Sequence, residues 1–339
     1  MIVGFGSVAS MVGEDPKAAK YLQYPTHASV LKDHPDYAWD AVVDFDEAAL
    51  SRARSDWGIT YAVSHIDELP EGYNPDIAVI ATKPDVRLEI LESLTCVKGL
   101  IIEKPVAENL SEAKKIMKWC NDNSVEVNVN MFRRAEKFCQ SLSRGRLHEL
   151  IGEPQVTQIL YGNGLRNNGI HMVDLVRMLL GDIAEVQAFP TAGMNQKDDF
   201  ARRNITGVMF LENGSPVYIS PLNFSCYRDV VLDMWGTKGR LEIYQEGLYA
   251  RYSQVRSHRA ISLSNEITLD RAKVYQTQCG RAYFDMYSNM ADVVLGRSKD
   301  LVCSIEEALK SEAVIEALFE SSDKDGERVQ LGKDHKIDA

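Results

Sequence analysis

The chain has 339 residues, of which 45% are hydrophobic and 26% are charged, the composition of an ordinary globular protein. A largely disordered chain is therefore excluded, and the length favours two domains because single cores rarely grow beyond roughly 250–300 residues. The formal net charge is -11, and no block of Lys and Arg interrupts the acidic balance. Nucleic acid is not expected as a partner, because a phosphate-binding surface would form against the overall field.

The cysteines and the apolar segments exclude two further classes of protein. None of the 6 cysteines has the paired spacing of a zinc site, so we expect reduced thiols and no metal. No apolar run reaches the length of a membrane span, and the N-terminus lacks the layout of a signal peptide. We expect a cytoplasmic enzyme without a membrane partner.

The first third of the chain alternates short β-branched runs with amphipathic stretches, which is typical of a parallel sheet covered by helices. The predicted strands are Met1–Val3, Ala41–Val43, Ile77–Ala81, Leu100–Ile102 and Val125–Asn130. The predicted helices are Glu47–Ser55, Asp85–Leu94 and Ser111–Asn121, the last with Ser111 as its N-cap. This pattern predicts an α/β fold that begins with a doubly wound nucleotide-binding sheet.

Beyond about residue 130 the pattern changes to longer alternating segments joined by turns, including the hairpin signal Asn213-Gly214. The predicted strands here are Gln155–Tyr161, Ala184–Ala188, Ile205–Leu211, Pro216–Ile219, Asp229–Trp235 and Arg240–Tyr244. Two helices are predicted near His171–Leu180 and Ile305–Glu320. We therefore predict a Rossmann domain over residues 1–129 and an α/β domain with a large, mostly antiparallel open sheet over residues 130–339.

A glycine-rich turn directly follows the first predicted strand. Gly4-Phe5-Gly6-Ser7-Val8-Ala9 matches G-x-G-x-x-A, whose glycines allow a tight turn and a close approach of backbone amides to a pyrophosphate. We predict that Gly4, Gly6, Ser7 and Val8 bind a dinucleotide; the alternative is a turn without function. The first strand is shorter than the about five or six residues usual for a strand, which leaves open whether residues precede Met1.

Asp44 closes the second predicted strand, where a carboxylate can bind both hydroxyls of an adenosine ribose. The same charge would repel a 2′-phosphate, and Phe45 and Asp46 follow it rather than Arg, so NAD is favoured over NADP. The interval from Gly6 to Asp44 exceeds the spacing of about 20 residues that the fingerprint expects, which indicates an insertion within residues 11–25. The alternative for Asp44 is a solvated acid at a strand end.

The tripeptide Glu103-Lys104-Pro105 follows the fourth predicted strand, at the edge where open α/β sheets bind ligands. The Lys104 ammonium can polarise a substrate oxygen and stabilise the alkoxide that develops as a hydride leaves for a nicotinamide. The alternative is a surface lysine beside a turn proline.

Taken in order, the motifs resemble the Gfo/Idh/MocA family, the glucose-fructose oxidoreductase and inositol dehydrogenase group. The resemblance covers nearly the whole chain, and its segments are the glycine turn, Val43-Asp44, Ala81-Thr82-Lys83-Pro84, Glu103-Lys104-Pro105, Arg133-Arg134, His171-Met172-Val173-Asp174 and Trp235-Gly236-Thr237-Lys238-Gly239-Arg240-Leu241. It implies a Rossmann domain followed by a substrate-binding domain whose open sheet mediates a homodimer or homotetramer. It also implies a nicotinamide site, between the domains, that is lined by Thr82, Lys83, Pro84, Glu103 and Lys104.

His171 is the second predicted catalytic residue. Asn167, His171 and Asp174 fall at i, i+4 and i+7, on one face of a helix. A histidine ionises near neutral pH, so it can remove the hydroxyl proton as the hydride departs; the alternative is that it packs within the helix start. Asp174 can orient His171 or bind a sugar hydroxyl, and the alternative is a solvated acid.

The sequence departs from the family pattern at Asn167, where inositol dehydrogenase-like members have Asp. An amide cannot act as a base but can hydrogen-bond a substrate hydroxyl, which leaves proton transfer to His171 with assistance from Lys104. In having Asn at this place, the sequence resembles the branches of the family that act on nucleotide-linked sugars in surface-polysaccharide pathways. Arg133 and Arg134 either bind a substrate phosphate or anchor the domain junction through ion pairs.

The sequence thus predicts an NAD-dependent oxidoreductase that transfers a hydride between nicotinamide and a secondary hydroxyl or keto group of a sugar. A nucleotide-linked sugar is the favoured substrate. Two alternatives stay open: a dehydrogenase of inositol, other polyols or free sugars, and a non-catalytic regulator that binds the dinucleotide. No role is predicted for Arg87, which stands where many members of the family carry His.

Overall fold

A computed structural model describes residues 1–11, 18–94, 96–189 and 202–332 of the chain. Their contacts form two compact units. The first contains Met1–Ala135 and Gly280–Leu309, and the second contains Glu136–Cys279 and the residues from Lys310 onward. The sequence prediction of two domains did not include this return of residues 280–309 to the first unit.

The described strands and helices alternate in the N-terminal part, and strands predominate after it. The strands are β1 (Ile2–Val3), β2 (Ala41–Val43), β3 (Tyr61–Val63), β4 (Ile77–Ile80), β5 (Gly99–Ile102), β6 (Glu126–Val129), β7 (Pro154–Tyr161), β8 (Ile183–Phe189), β9 (Thr206–Leu211), β10 (Pro216–Pro221), β11 (Val231–Gly236), β12 (Gly239–Tyr244), β13 (Tyr249–Ser257), β14 (Asn265–Ile267), β15 (Lys273–Gln276) and β16 (Val329–Gln330). The α-helices are α1 (Ala18–Tyr21), α2 (His27–Asp33), α3 (Glu47–Trp57), α4 (Arg87–Glu92), α5 (Leu110–Asp122), α6 (Lys137–Ser141), α7 (Leu147–Ile151), α8 (Ile170–Leu180), α9 (Ala282–Val294) and α10 (Ile305–Asp323).

The sheet of the first unit contains six parallel strands in the order β3-β2-β1-β4-β5-β6. Ile2 of β1 pairs with Val42 on one side and with Val79 on the other. Since the strand order reverses direction at β1, the carboxyl ends of β1, β2 and β4 border the crevice where doubly wound sheets bind ligands. The predicted parallel sheet is confirmed; β3, an edge strand in which only the central residue is buried, was not predicted.

The N-cap of helix α5 lies two residues before the predicted one. Ser111 as the N-cap is wrong, because Asn109 precedes Leu110 in extended conformation and its side chain accepts from the Glu112 amide at 3.0 Å. Asn and Ser are both good caps, so the sequence alone did not distinguish them. In the structure the Asn109 side chain reaches the Glu112 amide, and this contact identifies Asn109 as the cap.

Helix α9, which was not predicted, packs into the core of the first unit. Met286, Tyr287 and Met290 are fully buried in the same cluster as the strand residues of the sheet. A Cβ on Gly99 of β5 would lie 2.7 Å from the sulfur of Met290, so this glycine permits the close approach of the helix. This packing is why residues 280–309 belong with the Rossmann sheet.

The second unit is built on a ten-stranded sheet with the main order β14-β13-β12-β11-β7-β10-β9-β8-β16, and β15 pairs with β13. The pairing of β7 with β10 is parallel and the other pairings are antiparallel. The predicted hairpin at Asn213-Gly214 joins β9 to β10, with the Leu211 amide donating to the Ser215 carbonyl at 3.0 Å. The predicted mostly antiparallel sheet is confirmed.

Helix α8 connects β7 to β8, and it follows a π-helical segment, Leu165–Gly169. Eight consecutive residues from Ile170 to Arg177 are buried, so the helix has no solvated face in its first two turns. It ends at Gly181, whose φ of 105° is easily adopted by glycine. The predicted helix and its glycine stop are confirmed.

Replacing Asn109 with Ala should remove the side-chain acceptor at the start of α5. We expect the free energy of unfolding to fall by about 1 kcal/mol, the usual cost of losing an N-cap. Ser111→Ala, in the same first turn, is the matched control and should change it by less than about 0.5 kcal/mol. Urea denaturation followed by circular dichroism compares the two, and equal losses would contradict the assignment of Asn109 as the cap.

Candidate active site

The glycine turn packs against the end of the neighbouring strand. Gly4 has a φ of +87°, and a Cβ there would lie 2.8 Å from the backbone of Ala81 and Thr82. Gly6 has no atom within 4 Å of the place where its Cβ would be, so its backbone is open to approach. The following residues, Ser7–Met11, form a single π-helical segment. The predicted insertion within residues 11–25 falls partly on residues 12–17, which lie outside the described residues.

Asp44 holds the glycine turn as well as closing β2. Its Oδ2 accepts from the Phe5 amide at 2.5 Å, and its Oδ1 accepts from the Asp46 amide at 2.9 Å. An ionised carboxylate has about four acceptor positions, so both oxygens can accept further hydrogen bonds. The carboxylate therefore fixes the turn and can still bind ligand hydroxyls.

A cavity of about 1320 Å³ lies within the first unit at this edge of the sheet. The predicted cofactor residues that line it are Gly4, Gly6, Asp44, Thr82 and Lys83. The predicted cofactor residues that are not part of its lining are Ser7, Val8, Pro84, Glu103 and Lys104. Five of the predicted positions, taken from three separate segments, thus meet around one space.

This lining fits a dinucleotide. The volume exceeds the roughly 300–1,000 Å³ of most small-molecule sites, which suits an extended ligand. Gly6 leaves its backbone accessible, as a pyrophosphate requires, and Asp44 provides the acceptor that a ribose diol requires. The residues that would hold NAD are therefore Gly4 and Gly6 in the turn, Asp44 at the end of β2, and Thr82 and Lys83 after β4.

Glu103, Lys104 and Pro105 follow β5 directly, beside the segment that follows β4. The pairing of Ile80 with Ile102 places the two strand ends next to each other, and the Glu103 amide donates to the Ile80 carbonyl at 3.0 Å. The peptide bond between Lys104 and Pro105 is cis. Lys104 therefore leaves the sheet at the edge that also bears Thr82 and Lys83.

Arg87, for which no role was predicted, joins these two segments. Its guanidinium is buried and donates to the main-chain oxygens of Glu103 and Pro105, to that of Val106 at 3.2 Å, and to that of Thr82 at 2.7 Å. The planar fork of Arg suits several acceptors at once. The charge is thus solvated by backbone carbonyls, and the ends of β4 and β5 are fixed together.

The carboxylate of Glu103 is the centre of a buried hydrogen-bond network. Its Oε1 lies 2.9 Å from His27 Nε2 and also accepts from the side-chain amide of Asn130. Burial raises the pKa of Glu103, but the hydrogen bond and charge of His27, the charge of Lys104 and the Asn130 hydrogen bond together bring that pKa below its ordinary value. Glu103 is therefore an anion in the interior.

Lys104 lies in a field of mixed charge. Burial lowers the pKa of its ammonium, Glu103 opposes this, and Arg133 and Arg87 add to the lowering. The net effect is a pKa below that of an ordinary lysine. A lysine in this position gives up its proton more readily than a surface lysine.

Arg133 and Arg134 lie in a short 3₁₀ segment after β6, and both are buried. Arg134 pairs with Glu307 at 3.2 Å, and both residues belong to the first unit. Arg133 stacks over the Phe132 ring at 4.6 Å and contributes positive charge near Lys104. A role for either side chain in substrate binding stays a prediction.

The remaining predicted site residues lie in the second unit. Asn167 belongs to the π-helical segment before α8, while His171 and Asp174 lie in the first turns of α8 and are buried. The Asp174 carboxylate accepts from the Ser311 hydroxyl at 2.9 Å, and Ser311 in turn accepts from Arg177 at 2.7 Å. Asp174 is therefore part of an interior network rather than a solvated acid.

Four side chains around Glu103 and Lys104 were not found from the sequence: His27, Arg87, Asn130 and Tyr287. Asn130 follows β6 at the carboxyl edge, so the rule that identified Lys104 also applies to it. Tyr287 contacts His27 across 260 residues of sequence, and no local pattern indicates such a pair.

Comparison with known proteins identifies the family. Residues 19–131 match the model of the oxidoreductase family with an NAD-binding Rossmann fold, and residues 161–331 match the C-terminal alpha/beta domain of the same family. The chain belongs to the Gfo/Idh/MocA oxidoreductase family. Its NAD cofactor is thereby confirmed, although the glycine turn lies before the matched range.

The chain is also similar to individual members of this fold. A D-apiose dehydrogenase from Rhizobium rhizogenes is 24% identical over 231 residues, which span 60% of this chain and 66% of that protein. The WlbA dehydrogenase from Bordetella pertussis, solved with NADH and UDP-GlcNAcA, has a TM-score of 0.71 at 17% identity and covers 98% of both chains. A super-repressor mutant of Gal80p from Saccharomyces cerevisiae has a TM-score of 0.74 at 14% identity over the full length of both.

Among the described residues, no helix combines the length and the apolar character of a membrane span.

Asp44→Asn should weaken NADH binding by about 10- to 100-fold, because a hydrogen bond to a charged group contributes about 1.5–3 kcal/mol. The dissociation constant is measured by titrating NADH fluorescence. Asp76→Asn is the control: this exposed carboxylate precedes β4 at the opposite end of the strand and pairs with Lys98. An unchanged dissociation constant in Asp44→Asn would contradict the assigned ribose site.

Proposed function

We propose that the protein is an NAD-dependent dehydrogenase that interconverts a secondary hydroxyl and a keto group of a sugar. The observation that carries this proposal is the setting of Lys104. Its ammonium adjoins a buried anion and two arginines, at the sheet edge that also bears residues lining the cofactor cavity. A regulator that only binds the dinucleotide has no need of a lysine with a lowered pKa at that edge.

Lys104 is the group proposed to act on the substrate oxygen. Its ammonium donates a hydrogen bond to the hydroxyl and stabilises the negative charge that grows on the oxygen during oxidation. NAD, when bound, supplies the hydride acceptor. In the reverse direction the same ammonium polarises the keto oxygen, and the group that took up the proton during oxidation returns it.

His171 is the proposed proton acceptor. Asp174 is hydrogen-bonded to Ser311, and Asn167 is an amide that cannot take a proton, so His171 is the titratable side chain left among the three predicted in the second unit. Oxidation of the alcohol yields the ketone, NADH and one proton, and we assign that proton to His171. Asn167 is proposed to hydrogen-bond a substrate hydroxyl.

The proposed substrate is a nucleotide-linked sugar. Asn167, in the place of the Asp of inositol dehydrogenase-like members, supports this choice, and the WlbA dehydrogenase was solved with such a compound. The D-apiose dehydrogenase supports the alternative, a free sugar. The similarity to Gal80p, which extends over the full length of both chains, supports the second alternative, a non-catalytic regulator that binds the dinucleotide.

We also propose that the ten-stranded sheet mediates a homo-oligomer. Tyr218 and Trp235 are large exposed side chains on the same face of neighbouring parts of the sheet. Side chains of this type are enriched at subunit interfaces.

Absorbance at 340 nm should rise when the protein is incubated with NAD and a substrate from a panel of nucleotide sugars, free aldoses and polyols. Lys104→Ala should lower kcat by about 100-fold or more, as expected for losing a group that stabilises developing charge. Lys98→Ala is the control, because Lys98 is exposed and precedes β5, the strand that Glu103 and Lys104 follow. NADH binding without turnover of any compound would favour the regulator, and turnover of polyols alone would favour the inositol-type enzyme.

The activity should fall as the pH rises through the lowered pKa of Lys104, because the ammonium is the form proposed to act. The alkaline limb of kcat/KM is therefore expected below the value of about 10.4 for an ordinary lysine. Lys104→Arg, which stays charged, should keep part of the activity and lose this limb. A limb that is unchanged in the Arg variant would assign it to another group.

A further inference from the structure

Two helices that lie far apart in the sequence meet at the Glu103 carboxylate. His27 is the first residue of α2, Tyr287 is in the middle of α9, and both side chains are fully buried. The hydroxyl of Tyr287 lies 2.7 Å from His27 Nδ1, and His27 Nε2 lies 2.9 Å from Glu103 Oε1. Asn130, which follows β6, donates to the same Oε1.

Burial raises the pKa of the Tyr287 hydroxyl far above its ordinary value, so this hydroxyl keeps its proton beside His27 Nδ1. His27 donates from Nε2 to Glu103 both as the cation and as the neutral tautomer whose Nδ1 accepts from Tyr287. In either form the Glu103 carboxylate is the acceptor at the end of this network.

The carboxylate at the end of this network raises the pKa of Lys104, whereas Arg133 and Arg87 lower it. Tyr37 and Tyr283 are the further titratable groups that face Tyr287, and the Tyr37 hydroxyl donates to the Tyr287 carbonyl at 2.9 Å. Without its donors a buried carboxylate tends to take up a proton. The charge beside Lys104 would then be lost.

We propose that His27 and Tyr287 are positioning residues that hold the Glu103 carboxylate ionised and in place beside Lys104, and so set the charge of the catalytic lysine. This inference rests on the proposed function of Lys104. The His27–Tyr287 pair reaches the reaction only through Glu103 and touches neither substrate nor cofactor in this role. It makes α9, a helix from the C-terminal half, a part of the active-site machinery.

The test measures the protonation of Lys104 directly and needs neither NAD nor substrate. Trace acetic anhydride acetylates only the neutral amine, releasing acetate and a proton, and mass spectrometry of the Lys104 peptide at a series of pH values gives the midpoint of its titration. A failure to find any sugar substrate leaves this measurement intact. The proposed function and the positioning role can therefore fail separately.

Four variants separate a positioning role from simple loss of packing. His27→Leu removes both hydrogen bonds, and the midpoint of Lys104 should fall by about one pH unit, since the nearby opposite charge is lost. His27→Gln keeps a side-chain amide that can donate to Glu103, so it should restore at least half of that shift. Tyr287→Phe removes a single oxygen and should shift the midpoint in the same direction.

His34→Leu is the matched control. His34 directly follows α2, is also buried, and contacts α9 through Ser288 at 2.9 Å, but it has no bond to Glu103. Its removal should leave the Lys104 midpoint unchanged.

Loss of packing alone has the opposite sign, because water that enters a loosened site moves the pKa of Lys104 up towards its ordinary value. An unchanged or raised midpoint in His27→Leu would overturn the proposal. If that variant does not fold, Tyr287→Phe decides, and a midpoint equal to that of the unmodified protein would overturn the proposal equally.

Discussion

The parallel pairing of β1, β4 and β5 is the constraint on which the candidate site depends. Hydrogen bonds between these strands fix their register, so the residues after Val3, Ile80 and Ile102 leave the sheet side by side. The strands are buried on both faces, and a slip by one residue would turn each side chain to the other face of the sheet. This register brings three segments to one edge of the sheet: the glycine turn, the segment at Thr82 and the segment at Lys104. They lie close together there although they are spread over about 100 residues of sequence.

The buried charges at this edge of the sheet are compensated in different ways, and the difference affects Lys104. A buried charge is costly unless polar partners surround it. Arg87 is surrounded by main-chain carbonyls, which solvate its charge without cancelling it. Glu103 raises the pKa of Lys104, and Arg133 and Arg87 add positive charge that lowers it. This positive charge favours an oxygen that gains negative charge and makes the lysine readier to release its proton.

The sequence predicted those parts of the site that depend on local rules. Asp44 and Lys104 were found because a polar residue after a short apolar strand lies at the ligand-binding edge of a parallel sheet. The cap of α5 was misplaced because Asn109 and Ser111 both carry a side-chain oxygen that can accept a hydrogen bond from a backbone amide. Only the path of the backbone decides which oxygen reaches an amide, and residue types alone do not show that path.

The parts that the sequence did not predict are those that depend on contacts between distant segments. Helix α9 alternates aromatic, polar and methionine side chains, and its buried face is defined by the surface it meets, including the gap left by Gly99. His27 follows a capping turn and has the sequence context of an ordinary helix start. Its partner is 260 residues away, so neither residue carries a mark of the pair.

The return of residues 280–309 to the first unit therefore has a consequence beyond stability. With an amide at Asn167 and with Asp174 hydrogen-bonded to Ser311, proton transfer in the proposed reaction falls to His171 and Lys104. In the proposed mechanism the charge of Lys104 depends on Glu103, and the charge of Glu103 depends on donors held by α2 and α9. A Rossmann domain that ended after β6 would lack Tyr287, and His27 would lose its partner at Nδ1. The proposal therefore assigns to residues 280–309 a control on Lys104 that the N-terminal sequence does not contain.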